Sequence, residues 1–243
     1  MNENKLTGVP SGFARLDEIT GGFQKSDLIV VASRPCMGKT SFAINIARNA
    51  SLAKNLNVLL FALQWKRETI KIRLQLLDKG KELQMPTNLV VVDYLYDAMD
   101  IMDECQRRKA DNDIDLIIID CFDLIYFCGV NENQQKCEYL PQYLKQIART
   151  MECPVIVLSN LSRTLESREC KRPRLSDFET SGHIIKYSDL VLFLYRDDYY
   201  NFDINNSEKD ICEVIVAKNK KGSTGTAQLE FVEKNLLFCD EKM

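Results

Sequence analysis

The chain has 243 residues, 45% hydrophobic and 28% charged, with a net charge of −3. That length buries enough surface to fold as one domain without disulfide or metal staples, and the charge balance excludes bulk attraction to nucleic acid or anionic membrane. The apolar runs are strand-length and no segment of signal-peptide length follows the Met-Asn-Glu-Asn-Lys start, so a cytoplasmic chain with no membrane partner is expected.

In chain order, apolar strands alternate with amphipathic helices. The run 28–33 reads as a strand and 40–52 as a helix, with Phe42, Ala43, Ile46, Ala47 and Ala50 at helical spacing. A strand over 57–63 precedes a helix over 67–77 that sets Ile70, Leu74 and Leu77 on one face. A short strand at 89–92 leads to a helix over 97–108 that opens on Asp97, as the helix dipole favours. The run 114–120 is a strand ending in a carboxylate, and 139–151 is a helix with Leu140, Leu144, Ile147 and Ala148 inward. Strands follow at 155–158 and 190–195. Beyond residue 200, short strands at 212–217, 227–232 and 236–239 lack intervening helices and read as an antiparallel extension. Continuous apolar strands between helices imply a mostly parallel sheet covered on both faces, with ligands at the carboxyl ends of its strands. No linker or repeat divides the chain, so 1–243 is read as one α/β domain.

Nine cysteines, at 36, 105, 121, 128, 137, 153, 170, 212 and 239, form an odd set with no Cys-x-x-Cys pair. With His183 the single histidine, buried reduced thiols fit better than zinc.

Ser33-Arg34-Pro35-Cys36-Met37-Gly38-Lys39-Thr40 follows a buried strand and opens a helix, which is the phosphate-loop arrangement with Ser33 where the first glycine normally stands. Together with Ser41 these residues are the candidate nucleotide-binding set. Backbone N–H groups and the helix N-terminus attract phosphate oxygens, and Gly38 lets the backbone approach. Lys39 brings a point charge to the β- and γ-phosphates of ATP, and Thr40 offers a hydroxyl to Mg²⁺. Asp120, at the end of Ile117-Ile118-Ile119, is the carboxylate that would hold the same Mg²⁺, here followed by Cys121.

These residues sit among longer runs. Leu6-Thr7-Gly8-Val9-Pro10-Ser11-Gly12-Phe13, Thr20-Gly21-Gly22-Phe23, the loop Arg34-Pro35-Cys36-Met37-Gly38-Lys39-Thr40, Leu158-Ser159-Asn160-Leu161-Ser162-Arg163 and Lys171-Arg172-Pro173 closely resemble the DnaB-type replicative helicases. So do Ser176-Asp177, Ser181-Gly182 and Tyr195-Arg196-Asp197, and the match runs on to Lys218 and Gly222. The resemblance implies the RecA-like motor domain alone, without the family's N-terminal primase-binding domain. It also implies six such domains ringed around single-stranded DNA, or a filament of them, with ATP between neighbours and a loader or primase as further partner.

Carried over by position, the resemblance places the family's catalytic glutamate at Gln64, in Phe61-Ala62-Leu63-Gln64. An amide orients a water but accepts no proton, which removes general-base help worth about 10²–10⁴-fold. Glu68 lies one helical turn on. The γ-phosphate-sensing glutamine becomes Asn160, one methylene shorter, and the Lys-x-Arg that reaches a neighbour's ATP becomes Lys218-Asn219-Lys220. Lys220 keeps the charge without the planar fork. The DNA-facing loop reads Asp177-Phe178-Glu179-Thr180-Ser181-Gly182, with an acid where the family has arginine, followed by His183. Between 163 and 174, Arg163, Arg168, Lys171, Arg172 and Arg174 outweigh Glu166 and Glu169 and form either a DNA contact or an inter-subunit hairpin. The segment 130–138 is another channel-loop candidate, Trp65 a strand-end packing or stacking residue, and Tyr199 and Tyr200 candidate adenine neighbours.

Two rival functions remain beside the motor. One is a nucleotide-binding assembly or regulatory module with little turnover, for which Gln64, Glu179 and Lys220 speak; the other is a recombinase-like or KaiC-like ATPase acting on another polymer or protein.

Overall fold

The computed structural model describes residues 6–78, 85–131, 138–178, 183–200 and 211–241. Its elements, in chain order, are α1 (Ala14–Thr20), β1 (Leu28–Ser33), α2 (Lys39–Arg48), β2 (Val58–Ala62), α3 (Arg67–Leu77), β3 (Leu89–Val92), α4 (Ala98–Asp111), β4 (Leu116–Asp120), α5 (Leu140–Met151), β5 (Val155–Asn160), α6 (His183–Tyr187), β6 (Leu190–Arg196), β7 (Ile211–Asn219), β8 (Gly225–Val232) and β9 (Leu237–Asp240). They build one sheet of order β3-β2-β4-β5-β1-β6-β7-β8-β9. Pairing is parallel from β3 to β6 and antiparallel from β6 to β9, as the alternation and its loss after residue 200 predict.

The unbroken apolar runs follow from burial on both faces. Ile29 and Val31 of β1 join a core with Leu16 of α1, Phe42 and Ile46 of α2, and Ile70 and Leu74 of α3. Leu28, Val30 and Ala32 face the other way, against Ile101 of α4 and Leu144 and Ile147 of α5. In β7 the strict alternation returns: Cys212, Val214 and Val216 are buried, while their neighbours are half-open. Asp97 caps α4, its Oδ1 accepting from the Met99 N–H at 2.8 Å.

Two differences from the sequence reading have local causes. The expected 40–52 helix keeps α-geometry only to Arg48 and widens over Asn49–Ala53. There Asn88 Nδ2 donates to the Ser51 carbonyl at 2.9 Å, and Asn49 Nδ2 donates to that of Ser11 at 3.2 Å. Helix α1 was not foreseen: it spans only seven residues, buries Leu16 and Ile19, and stops at Gly21 with φ 70°. No helix among the described residues is long and apolar enough to cross a membrane.

The strand order brings the ends of β1, β2, β4 and β5 side by side. Ser33 lies opposite Asn160, and Ala62 opposite Asp120. Segments distant in the chain are thereby gathered at the carboxyl ends of the parallel strands.

Candidate nucleotide site

The loop between β1 and α2 turns through two left-handed residues, Cys36 (φ 66°) and Gly38 (φ 90°). A Cβ on Gly38 would lie 3.1 Å from the Phe238 ring, so the turn and the packing both call for glycine. Met37 anchors the loop by burying its side chain in the core, while Pro35 and Cys36 are exposed at its tip. Gly38 caps α2 through its backbone alone, with no side-chain bond, which leaves the first N–H groups of the helix directed at the loop.

Lys39 Nζ donates to the Ser33 carbonyl (3.2 Å), to Ser33 Oγ (3.2 Å) and to the Arg34 carbonyl (3.3 Å). Burial pushes its pKa down to about 8, against the opposing pull of Asp120, Cys121 and Asp123. A phosphate would supply the full anionic partner that carbonyls do not. Thr40 Oγ1 donates to Asp120 Oδ2 at 2.7 Å. Burial raises the Asp120 carboxyl above its ordinary value, outweighing the Thr40 hydrogen bond and the charges of Lys39 and Arg73. A hydroxyl and a buried carboxylate in contact, beside an uncapped helix end, are oxygen donors that suit Mg²⁺ with a triphosphate.

Gln64 Nε2 donates to Cys121 Sγ at 3.2 Å, and burial pushes that thiol up to about 11. Asn160 Nδ2 donates to Asp123 Oδ2 at 2.8 Å. Lys39, Thr40, Asp120, Gln64 and Asn160 thus gather at the carboxyl ends of the parallel strands. Two residues there went unremarked in the sequence. Asp123 lies in a single 3-10 turn, Phe122–Leu124, directly after β4. Arg73 of α3 stacks its guanidinium 4.4 Å above the Trp65 ring, reaches Ser41 Oγ at 3.4 Å and bears on Asp120. An acid three residues past a strand-end carboxylate was a legible signal for Asp123; nothing in the spacing of α3 marks Arg73.

Other candidates fall elsewhere. The Arg34 side chain turns away from the loop: Nε donates to Glu166 Oε1 (2.8 Å) and Nη1 to the Leu161 carbonyl (2.7 Å). Lys218 pairs across the sheet with Val191, near the amino end of β6. It donates to the Ile185 carbonyl, and Lys220 Nζ donates to Asp189 Oδ1 at 3.1 Å. Both lie two strands from β1 and, down the strand direction from Ser33, roughly 10 Å away for Lys218 and about 16 Å for Lys220, out of reach of their own chain's loop.

Within 163–174, Arg168 pairs with Asp177, Arg172 with Glu213, and Lys171 donates to the Glu166 and Arg168 carbonyls. Arg163 and Arg174 are exposed. Tyr200 stacks on Tyr195 at 6.1 Å, with Tyr199 edge-on at 5.2 Å. His183 is exposed at the start of α6. Glu179–Gly182, Cys137, Lys136 and most of the 130–138 segment lie outside the described residues.

A family model described as DnaB-like helicase C terminal domain matches residues 8–84 and 75–240. The chain is 40% identical to "Replicative DNA helicase DnaB" of Geobacillus stearothermophilus, over 96% of this chain and 56% of the relative. It is 38% identical to "Replicative DNA helicase DnaC" of Bacillus subtilis, over 94% and 56% respectively. The chain therefore spans about half the length of the curated relatives it matches. A solved DnaB-like replicative helicase, described together with its interactions with primase, superposes with a TM-score of 0.88 at 31% identity, over 98% of this chain and 63% of that one. A KaiC-like protein of Pyrococcus horikoshii shares the fold at a TM-score of 0.70 and 15% identity, over 97% of this chain and 99% of that one.

Proposed function

Because the chain belongs to the DnaB-like helicase C-terminal domain family, we propose that it is a RecA-like motor that binds Mg-ATP, hydrolyses it and drives movement along single-stranded DNA in replication. The observation that carries this reading is the cluster of Lys39, Thr40, Asp120 and Asn160 around the uncapped start of α2. In it the backbone N–H groups from Gly38 to Ser41 and the Lys39 ammonium hold the β- and γ-phosphates, while Thr40 and Asp120 hold Mg²⁺, which when bound screens the phosphate charge. Asn160 senses the γ-phosphate and Gln64 orients the attacking water. Lys218 and Lys220, too far from their own loop, support a site shared between copies, and hence a hexameric ring or a filament. Arg163 and Arg174 are the exposed cations of the DNA-contact set, with Arg168, Lys171 and Arg172 shaping the segment that carries them. Primase is the further partner that a solved relative brings in, and a loader is the other partner class this reading admits.

One observation favours a second reading. Gln64 spends its amide on the Cys121 thiol, an arrangement without a proton acceptor at that position, as an assembly module of low turnover would have. Titration calorimetry with Mg-ATP, light scattering with a non-hydrolysable analogue, and turnover with and without single-stranded DNA test both. The motor requires binding that Lys39→Ala removes, nucleotide-dependent self-association and DNA-stimulated turnover. Binding and association with no turnover at any DNA concentration give the assembly module. A monomer that binds no nucleotide overturns both.

A further inference from the structure

Resting on the ATP-hydrolysing reading above, we infer that Asp123 is the general base of this site, taking the role for which Gln64 has no chemistry. Strand β4 lies between β2 and β5, so the turn after Asp120 emerges between the ends that carry Gln64 and Asn160. The Leu63 N–H donates to the Asp120 carbonyl at 2.7 Å, fixing the Gln64 side of this junction. On the other side, Asn160 Nδ2 holds Asp123 Oδ2 at 2.8 Å. Two carboxylates act on Lys39: Asp120, engaged by Thr40, and Asp123.

Asp123 is therefore a carboxylate within electrostatic range of the phosphate-binding lysine, with Oδ1 not used in the Asn160 bond. It is half-buried, so its proton has a route to solvent. The hydrogen bond from Asn160 ties the base to that residue, the side chain read as the γ-phosphate sensor. Gln64 and Asp123 divide between them what a single glutamate does: the amide orients the water and the carboxylate deprotonates it. In the step, the water oxygen bonds to the γ-phosphorus as the bridging bond from the γ-phosphorus to the β-phosphate oxygen breaks. The electron pair of that bond leaves on ADP, inorganic phosphate forms, and the water proton goes to Asp123, which later releases it to solvent.

The test pairs turnover with calorimetric Mg-ATP affinity. Asp123→Asn keeps an oxygen that accepts from Asn160 but removes the proton acceptor. It is expected to lower kcat about 100-fold, with the ATP Kd unchanged. Adding Gln64→Glu to Asp123→Asn is expected to recover at least about tenfold, since it restores a carboxylate beside the same water. Asp123→Asn with kcat near that of the unmodified chain would overturn the inference, as would equal losses in affinity and kcat, the mark of a structural role. An unmodified chain that binds Mg-ATP but never turns it over overturns the base assignment while leaving nucleotide binding intact. A chain that binds no Mg-ATP removes the site itself, a result calorimetry separates from the other three.

Discussion

At the amino ends of the parallel strands, lysines are matched to carboxylates. Asp189 takes hydrogen bonds from the Leu28 N–H, Lys145 and Lys220, and Asp27 accepts from Lys221 at 2.6 Å. At the carboxyl ends, Lys39 meets two carbonyls and a serine hydroxyl, and its pKa falls to about 8. Burial tends to raise the Asp189 carboxyl, but its three donors leave it below the ordinary value, whereas Asp120 ends above it. One end of the sheet is closed by its own ion pairs and contributes stability. The other holds donors and charges that are only partly matched, the condition under which an anionic ligand with its cation gains most.

The largest effect expected from breaking this contrast is at the closed end. Asp189→Asn leaves Lys145 buried opposite a neutral amide and should cost about 3 kcal/mol in chemical denaturation. The pH dependence has a definite sign. Because the folded carboxyl lies below 3.8, the unfolded chain binds the proton more readily between the two values. This contribution is complete above about pH 5 and is lost as pH falls through the folded pKa. Asp189→Asn should flatten that acid limb.

Lys39→Ala should weaken Mg-ATP binding by at least about 100-fold, or about 2.8 kcal/mol, while leaving the thermal midpoint intact, because the cation removed is poorly compensated. A large fall in the midpoint would show that Lys39 is structural, like its counterparts at the other end.

Arg34→Ala is a smaller change. The guanidinium ties the loop to the Leu161 carbonyl and Glu166, so about 1.5 kcal/mol of stability should be lost, with ATP affinity little altered. A loss of affinity as great as that of Lys39→Ala would place its charge on the phosphates instead. Lys220→Ala should cost at most about 0.5 kcal/mol, since its side chain is 45% exposed. Under the shared-site proposal its larger effect is expected in turnover of the assembled protein, and an equal effect in a dispersed monomer would contradict a role between copies.

Local pattern alone fixed the alternation of apolar strands and amphipathic helices, the phosphate loop at the first strand end, and Asp120 as its partner, since spacing and side-chain type write these directly into the chain. The antiparallel extension beyond residue 200 was legible from the loss of intervening helices, while the one-sided burial of β7 emerged only in the fold. Folding decided what depends on segments far apart in the chain. Only the strand order brings Asn160 against Asp123, 37 residues away. Only packing turns Arg34 toward Glu166, 132 residues on, and commits Arg168 and Arg172 to internal acids. The antiparallel return of β7 carries Lys218 and Lys220 to the opposite sheet end from Lys39. A side chain's type is local, but its partner is set by the whole sheet, and the partner determines whether a charge serves stability or chemistry.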